Sequence, residues 1–138
     1  MPEKEKMSER DLQVRVIQYL REFYGWAPLA PGLGEHQSTP SRRADAWAKG
    51  YVSGVPDLLV LAPSREHCGL ALEFKSPSYK ARASPSQVAF LERLEHVSRF
   101  RTLVSSDYEE IIHALSEHLA PEEDDVPMPC FGEMLVDA

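Results

Sequence analysis

Apolar positions recur along this chain with two periods, and the places where the period changes divide it into elements. Over residues 8–24, Leu12, Val16, Tyr19, Leu20 and Phe23 fall at helical spacing. Ser8 stands where an N-cap belongs, Asp11 lies in the first turn, and Gly25 follows the last periodic residue. Glu9, three residues before Leu12 and seven before Val16, falls near the apolar stripe, so a carboxylate is expected at the core edge of the first turn. "WAPLAPGLG" holds at most a short strand, because its prolines break a sheet ladder. Residues 35–53 show no sustained period and are expected to be irregular, with one helical turn around "RRADAWAKG". "DLLVL", apolar on both faces, reads as a buried strand, and "LALEFK" as a second one after the turn "PSREHCG". Ser84, Pro85 and Gln87 are arranged as N-cap, first helical residue and capping-box partner. They open a helix over 84–97 whose apolar face is Val88, Leu91 and Leu94. "FRTLV" is a further strand. A last helix is expected from Ser106, with Glu109 at capping-box spacing, burying Tyr108, Ile111, Ile112, Leu115 and Leu119. The order α, β, β, β, α, β, α predicts an α/β domain: a central mixed sheet of about four strands flanked by helices.

Length and composition narrow the class. The 138 residues suit one domain with a sizeable core, 43% of them hydrophobic and 27% charged. No apolar run is long enough for a transmembrane helix. The segment "MPEKEKMSER" lacks the apolar core of a signal peptide, so an intracellular setting, cytoplasm or nucleus, is expected. Cys68 and Cys130 are too few and too unpatterned for a disulfide scaffold or zinc site, and free thiols are expected. The five histidines show no ligand spacing with one another.

The net charge of −7 argues at first against a nucleic-acid partner. Its distribution weakens that argument. Residues 121–138 carry six acids and no Lys or Arg, which leaves residues 1–120 with a balance of −1. Within 74–101 there are six bases against two acids. Local charge governs attraction to a phosphate backbone more than whole-chain charge does. The chain therefore divides into a domain, 1–120, and an acidic, proline-containing tail, 121–138. The first half of the tail has the composition of a disordered segment.

Charges then appear where a core strand should exclude them. Asp57 follows Pro56 and precedes four large apolar residues; Glu73 and Lys75 interrupt the next apolar run. Alternation along a strand turns Glu73 and Lys75 to one face and Leu72 and Phe74 to the other. An isolated Glu-x-Lys is commonly a solvated pair, and an isolated Pro-Asp commonly marks a turn. Here both abut near-continuous apolar runs on consecutive strands. Two close carboxylates repel, and a divalent cation relieves the repulsion; hard oxygens suit Mg2+ or Mn2+. A neighbouring lysine orients water for attack on phosphorus, so the set has the makings of phosphodiester hydrolysis. The register that would join Asp57 to Glu73 and Lys75 stays open at this level.

Taken together, "GVPDLLVL", "GLALEFK" and "SPSQVAFLERL", preceded by "SERDLQVRVIQYL" and "SRRADAWAKGYVSGVPDLL", resemble the virus-type replication-repair nuclease (VRR-NUC) domains of the PD-(D/E)XK superfamily, from residue 8 to about 119. The resemblance implies a restriction-endonuclease-like fold and metal-dependent cleavage of DNA. It implies Asp57 and Glu73 as metal-binding carboxylates, the Phe74 carbonyl as a backbone ligand, Lys75 as the catalytic lysine and Gln87 as the glutamine of the following helix. Glu9 matches the acidic residue of the first helix. Small stand-alone members look like dimeric Holliday-junction resolvases, which makes branched DNA the expected substrate and a homodimer the expected assembly. Arg42, Arg43, Lys49, Lys80 and Arg82 are candidates for phosphate contacts. Trp47 and Tyr51 are expected to pack rather than to stack on bases. Two readings stand beside the nuclease: a DNA-binding module that has lost cleavage, and an adaptor whose acidic tail recruits a protein partner.

Overall fold

The computed structural model describes residues 7–32, 39–76 and 82–120. The acidic tail and Lys80 lie outside the described residues. The element order is α1 (Glu9–Phe23), β1 (Leu29–Pro31), α2 (Pro40–Ala48), β2 (Leu58–Val60), β3 (Gly69–Phe74), α3 (Pro85–His96), β4 (Phe100–Ser105) and α4 (Tyr108–Leu119). The strands form one mixed sheet in the order β1-β2-β3-β4. β1 and β2 pair antiparallel, as do β2 and β3, whereas β3 and β4 run parallel across the α3 crossover.

Alternation along β2 and β3 separates two faces. Leu58, Val60, Leu70, Leu72 and Phe74 face α1 and α4, where Leu12, Val16, Leu20, Ile111, Leu115 and Leu119 complete the core. Each such side chain, taken fully from water, contributes roughly 1.5–3 kcal/mol. α3 packs along β4 and brings its first turn to the charged residues of β3. Ser8 caps α1 by accepting from the Asp11 amide at 3.0 Å. Ser84 and Gln87 close a capping box on α3 in both directions. No helix among the described residues is long and apolar enough to cross a membrane.

The structure departs from the sequence reading in several places. α2 is a nine-residue helix rather than one turn; Thr39 caps it and Pro40 opens it. It lacks an apolar stripe because only Ala46 is buried, so periodicity could not reveal it. α4 is capped by Asp107, which accepts from the Glu109 amide, not by Ser106. Tyr108 and Ile112 are only half-buried, while Ala114 and His118 are buried with Ile111, Leu115 and Leu119. Val88 is exposed, leaving Leu91 as the buried residue of α3. Cys68 is disulfide-bonded, not a free thiol. Cysteine count and spacing carry no information on distance in space, which decides whether a bridge forms.

Candidate active site

The Asp57 to Lys75 set is assembled by strand register. Leu58 pairs with Leu72, so one residue further along Asp57 stands opposite Glu73. Opposed residues of an antiparallel pair project to the same face. Asp57 and Glu73 thus share the sheet face turned away from α1. The Asp57 carboxylate is anchored by the Phe74 amide, which donates to Oδ2 at 2.9 Å. Within a strand, a residue's N–H and C=O point to the same side. The Phe74 carbonyl therefore lies on the Asp57 side of β3.

Glu73 is only 2% exposed. Its Oε1 accepts from Gln87 Nε2 at 2.7 Å and from Lys75 Nζ at 3.5 Å. Its Oε2 is buried with no hydrogen-bond partner. Burial, and then the negative charge of Asp57, raise the Glu73 pKa to about 7; the nearby Lys75 ammonium acts in the opposite direction. Glu73 is thus buried rather than a member of a solvated pair, because the first turn of α3 covers that face.

Gln87 joins helix start and strand. Its Oε1 accepts from the Ser84 amide at 2.8 Å, the capping-box bond, and from Lys75 Nζ at 3.0 Å. Its Nε2 goes to Glu73. The Lys75 backbone is fixed from the other side, its amide donating to the Ser105 carbonyl of β4 at 3.0 Å. Gly54 completes the frame. Its φ of +88° and its packing leave no room for a side chain: a Cβ would lie 2.3 Å from the Ser86 carbonyl oxygen and 3.0 Å from the Gln87 nitrogen. The loop bearing Asp57 is therefore pressed directly onto the turn bearing Gln87.

Four of the five side chains singled out from the sequence for chemistry converge: Asp57, Glu73, Lys75 and Gln87. Glu9 does not join them. It is exposed in the first turn of α1, on the helix that covers the opposite face of the sheet, and it lines a shallow groove with Arg10, Gln13, Ile17 and Arg21. Among the described residues no three acidic, histidine or cysteine side chains cluster tightly enough to hold a metal ion. Glu9 lies in the first turn as expected but is exposed rather than at the core edge, and helical spacing cannot say which sheet face the helix covers. Arg42, Arg43 and Lys49 lie exposed on and just beyond α2, with Lys49 paired to Asp45 at 2.7 Å, and Arg82 is exposed ahead of α3. Ser84 and Ser105 enter the frame through backbone and capping contacts; only Ser84 had a sequence signal.

Two residues expected to pack instead face solvent: Trp47 is 74% exposed and Tyr51 44%. α2 buries only Ala46, so it offers their rings no apolar surface to cover.

No family model matches the chain, and no curated protein matches its sequence. A solved structure described as a "VRR_NUC domain protein" superposes on it with a TM-score of 0.66, at 17% identity, over 82% of this chain and 88% of that one. The fold is therefore an α/β, restriction-endonuclease-like core of the same architecture as that structure. At that identity the likeness speaks for architecture, and the chemistry has to be argued from the side chains.

Proposed function

We propose that this protein is a divalent-metal-dependent DNA endonuclease that hydrolyses phosphodiesters, acting on branched DNA as a homodimer. The observation that carries the reading is the buried Glu73 Oε2, which has no N–H donor and faces only the Asp57 carboxylate, with which it must share a proton or a cation. A buried acceptor without a donor costs roughly 1–3 kcal/mol. A core strand has no structural reason to keep it, whereas a cation-binding site does. The donor set consists of hard oxygens: the Asp57 carboxylate, Glu73 Oε2 and the Phe74 carbonyl. It fits Mg2+ or Mn2+. Bound there, the cation would supply Lewis-acid stabilisation of the phosphoryl oxygens and a lowered pKa for water.

The remaining steps fall to the protein. Gln87 and Lys75 both hold Glu73 Oε1, so Oε2 is the oxygen left for the cation. Lys75 keeps its ammonium between Glu73 and Gln87, where it orients the attacking water and offsets negative charge on the phosphate. The water oxygen bonds phosphorus as one P–O ester bond breaks, and the leaving oxygen is protonated. Glu9, on the far face, is not needed for this set. A symmetric branch calls for two cuts, and two sites related by a dimer axis supply them.

The test compares wild type with Lys75→Ala on labelled four-way junctions, flaps and nicked duplexes, with Mg2+ or Mn2+ and with EDTA. Metal-dependent cleavage by wild type, reduced at least about 100-fold in the variant, is expected. Absence of cleavage by wild type on every DNA form would remove the nuclease reading.

A further inference from the structure

We propose that the C-terminal end of α2 is a stacking platform for an unpaired DNA base, formed by Trp47 and Tyr51 with Arg43 beside it. The inference takes its ligand class from the nuclease reading and deepens it, because a stacking site selects DNA that presents single-stranded nucleotides.

Three observations meet there. The first is the exposure of two aromatic rings close together in the chain, Trp47 and Tyr51. A single exposed apolar residue is ordinary, but two exposed aromatic residues four positions apart, at and just beyond the end of a polar helix, have the composition of a stacking surface. The second is that the surface is built rather than loose. The Gly50 amide donates to the Trp47 carbonyl at 3.0 Å and the Tyr51 amide to the Ala46 carbonyl at 2.9 Å, with Gly50 at φ +100°. These bonds form a Schellman motif, which fixes the backbone carrying both rings.

The third is charge and position. From Thr39 to Tyr51 the chain carries Arg42, Arg43 and Lys49 against one acid, Asp45. Arg43 is exposed one helical turn before Trp47, on the same side of α2. A cation there meets the phosphate of a nucleotide whose base lies on the indole. Tyr51 is three Cα steps from Gly54, at most about 11 Å, and Gly54 touches the first turn of α3 that carries Gln87. A base held on the platform therefore keeps its strand close to Lys75 and Glu73.

The experiment reads binding, not cleavage. Fluorescence anisotropy in EDTA compares a labelled single strand, a duplex with a single-stranded flap and a blunt duplex. Trp47→Ala is expected to weaken binding of the single strand and flap about 5- to 100-fold, and binding of blunt duplex less than about 2-fold. Trp47→Phe should retain most of the affinity. In a Trp26→Phe background, the remaining Trp47 fluorescence should be quenched by the single strand. Equal loss on all three DNAs, unchanged affinity in Trp47→Ala, no binding of single strands by wild type, or dissociation of a dimer by Trp47→Ala each overturns the platform. The two readings fail separately. Trp47-dependent binding without cleavage by any wild-type preparation sinks the nuclease alone, and cleavage with Trp47-independent binding sinks the platform alone.

Discussion

Replacing Glu73 by glutamine should make the metal-free protein more stable at alkaline pH while abolishing cleavage. Glu73 holds its proton up to about pH 7 in the folded protein, against an ordinary value of 4.5. Between those values the folded state binds more protons than the unfolded state, so this group lowers stability as pH rises and the loss is complete above the folded value. At about 1.4 kcal/mol per pH unit, the displacement corresponds to about 3 kcal/mol. Glu73→Gln keeps the shape and the acceptor for Gln87 but carries no charge to bury beside Asp57. In EDTA at pH 8.5 the variant should melt about 10 °C above wild type, at roughly 3–4 °C per kcal/mol for a domain of this size. At pH 4.5 the difference should nearly vanish. Titrating groups away from the site are common to both proteins and cancel in the comparison, while Asp57 and Lys75, which interact with Glu73, enter it as part of the same coupled set. Millimolar Mg2+ should raise the melting temperature of wild type and leave the variant unchanged, since ligand binding stabilises only a protein that binds it. Circular dichroism melts across pH provide the measurement. A variant less stable than wild type at pH 8.5, or a gap independent of pH, would refute the electrostatic account of Glu73.

Two other substitutions test the frame around the site. Gln87→Ala removes the Ser84 amide's acceptor and a donor to Glu73; a loss of about 2 kcal/mol in urea unfolding is expected, with cleavage reduced beyond what that loss explains. Gly54→Ala drives a Cβ into the Ser86 carbonyl at a positive φ. It should cost about 2 kcal/mol or more in the same assay, whereas Gly50→Ala, with open space around it, should cost less.

Most of the site was legible because its chemistry conflicts with its surroundings. Asp57, Glu73 and Lys75 are conspicuous as charges within apolar runs, and Gln87 as the partner of Ser84. Their convergence was not legible. It depends on Leu58 pairing with Leu72, and a one-residue slip would turn Asp57 to the other face. Glu9 shows the same limit from the other direction, since helical spacing locates a residue on its helix and leaves the helix unplaced. α2 carried Thr39 and Pro40 as start signals, but without a buried stripe they had nothing to support them. At α4 the Ser106–Glu109 spacing places the start one residue early, and Asp107, with Glu110 at the same spacing, is the cap. Trp47 is expected to pack because large aromatic residues are usually buried, but α2 buries only Ala46 and gives its ring no apolar surface to cover.

The shared oxygen of Gln87 has a consequence for how the molecule can report on itself. One atom, Oε1, takes a proton donor from the backbone that starts α3 and another from the lysine proposed to act on substrate. Any movement of the Lys75 ammonium toward a phosphate redistributes electron density on that atom and alters the bond to the Ser84 amide. The Ser84 N–H is thus a built-in spectator of Lys75, near the surface and readable by its amide resonance, and the first turn of α3 serves as a gauge of what the buried Glu73 carboxylate is doing.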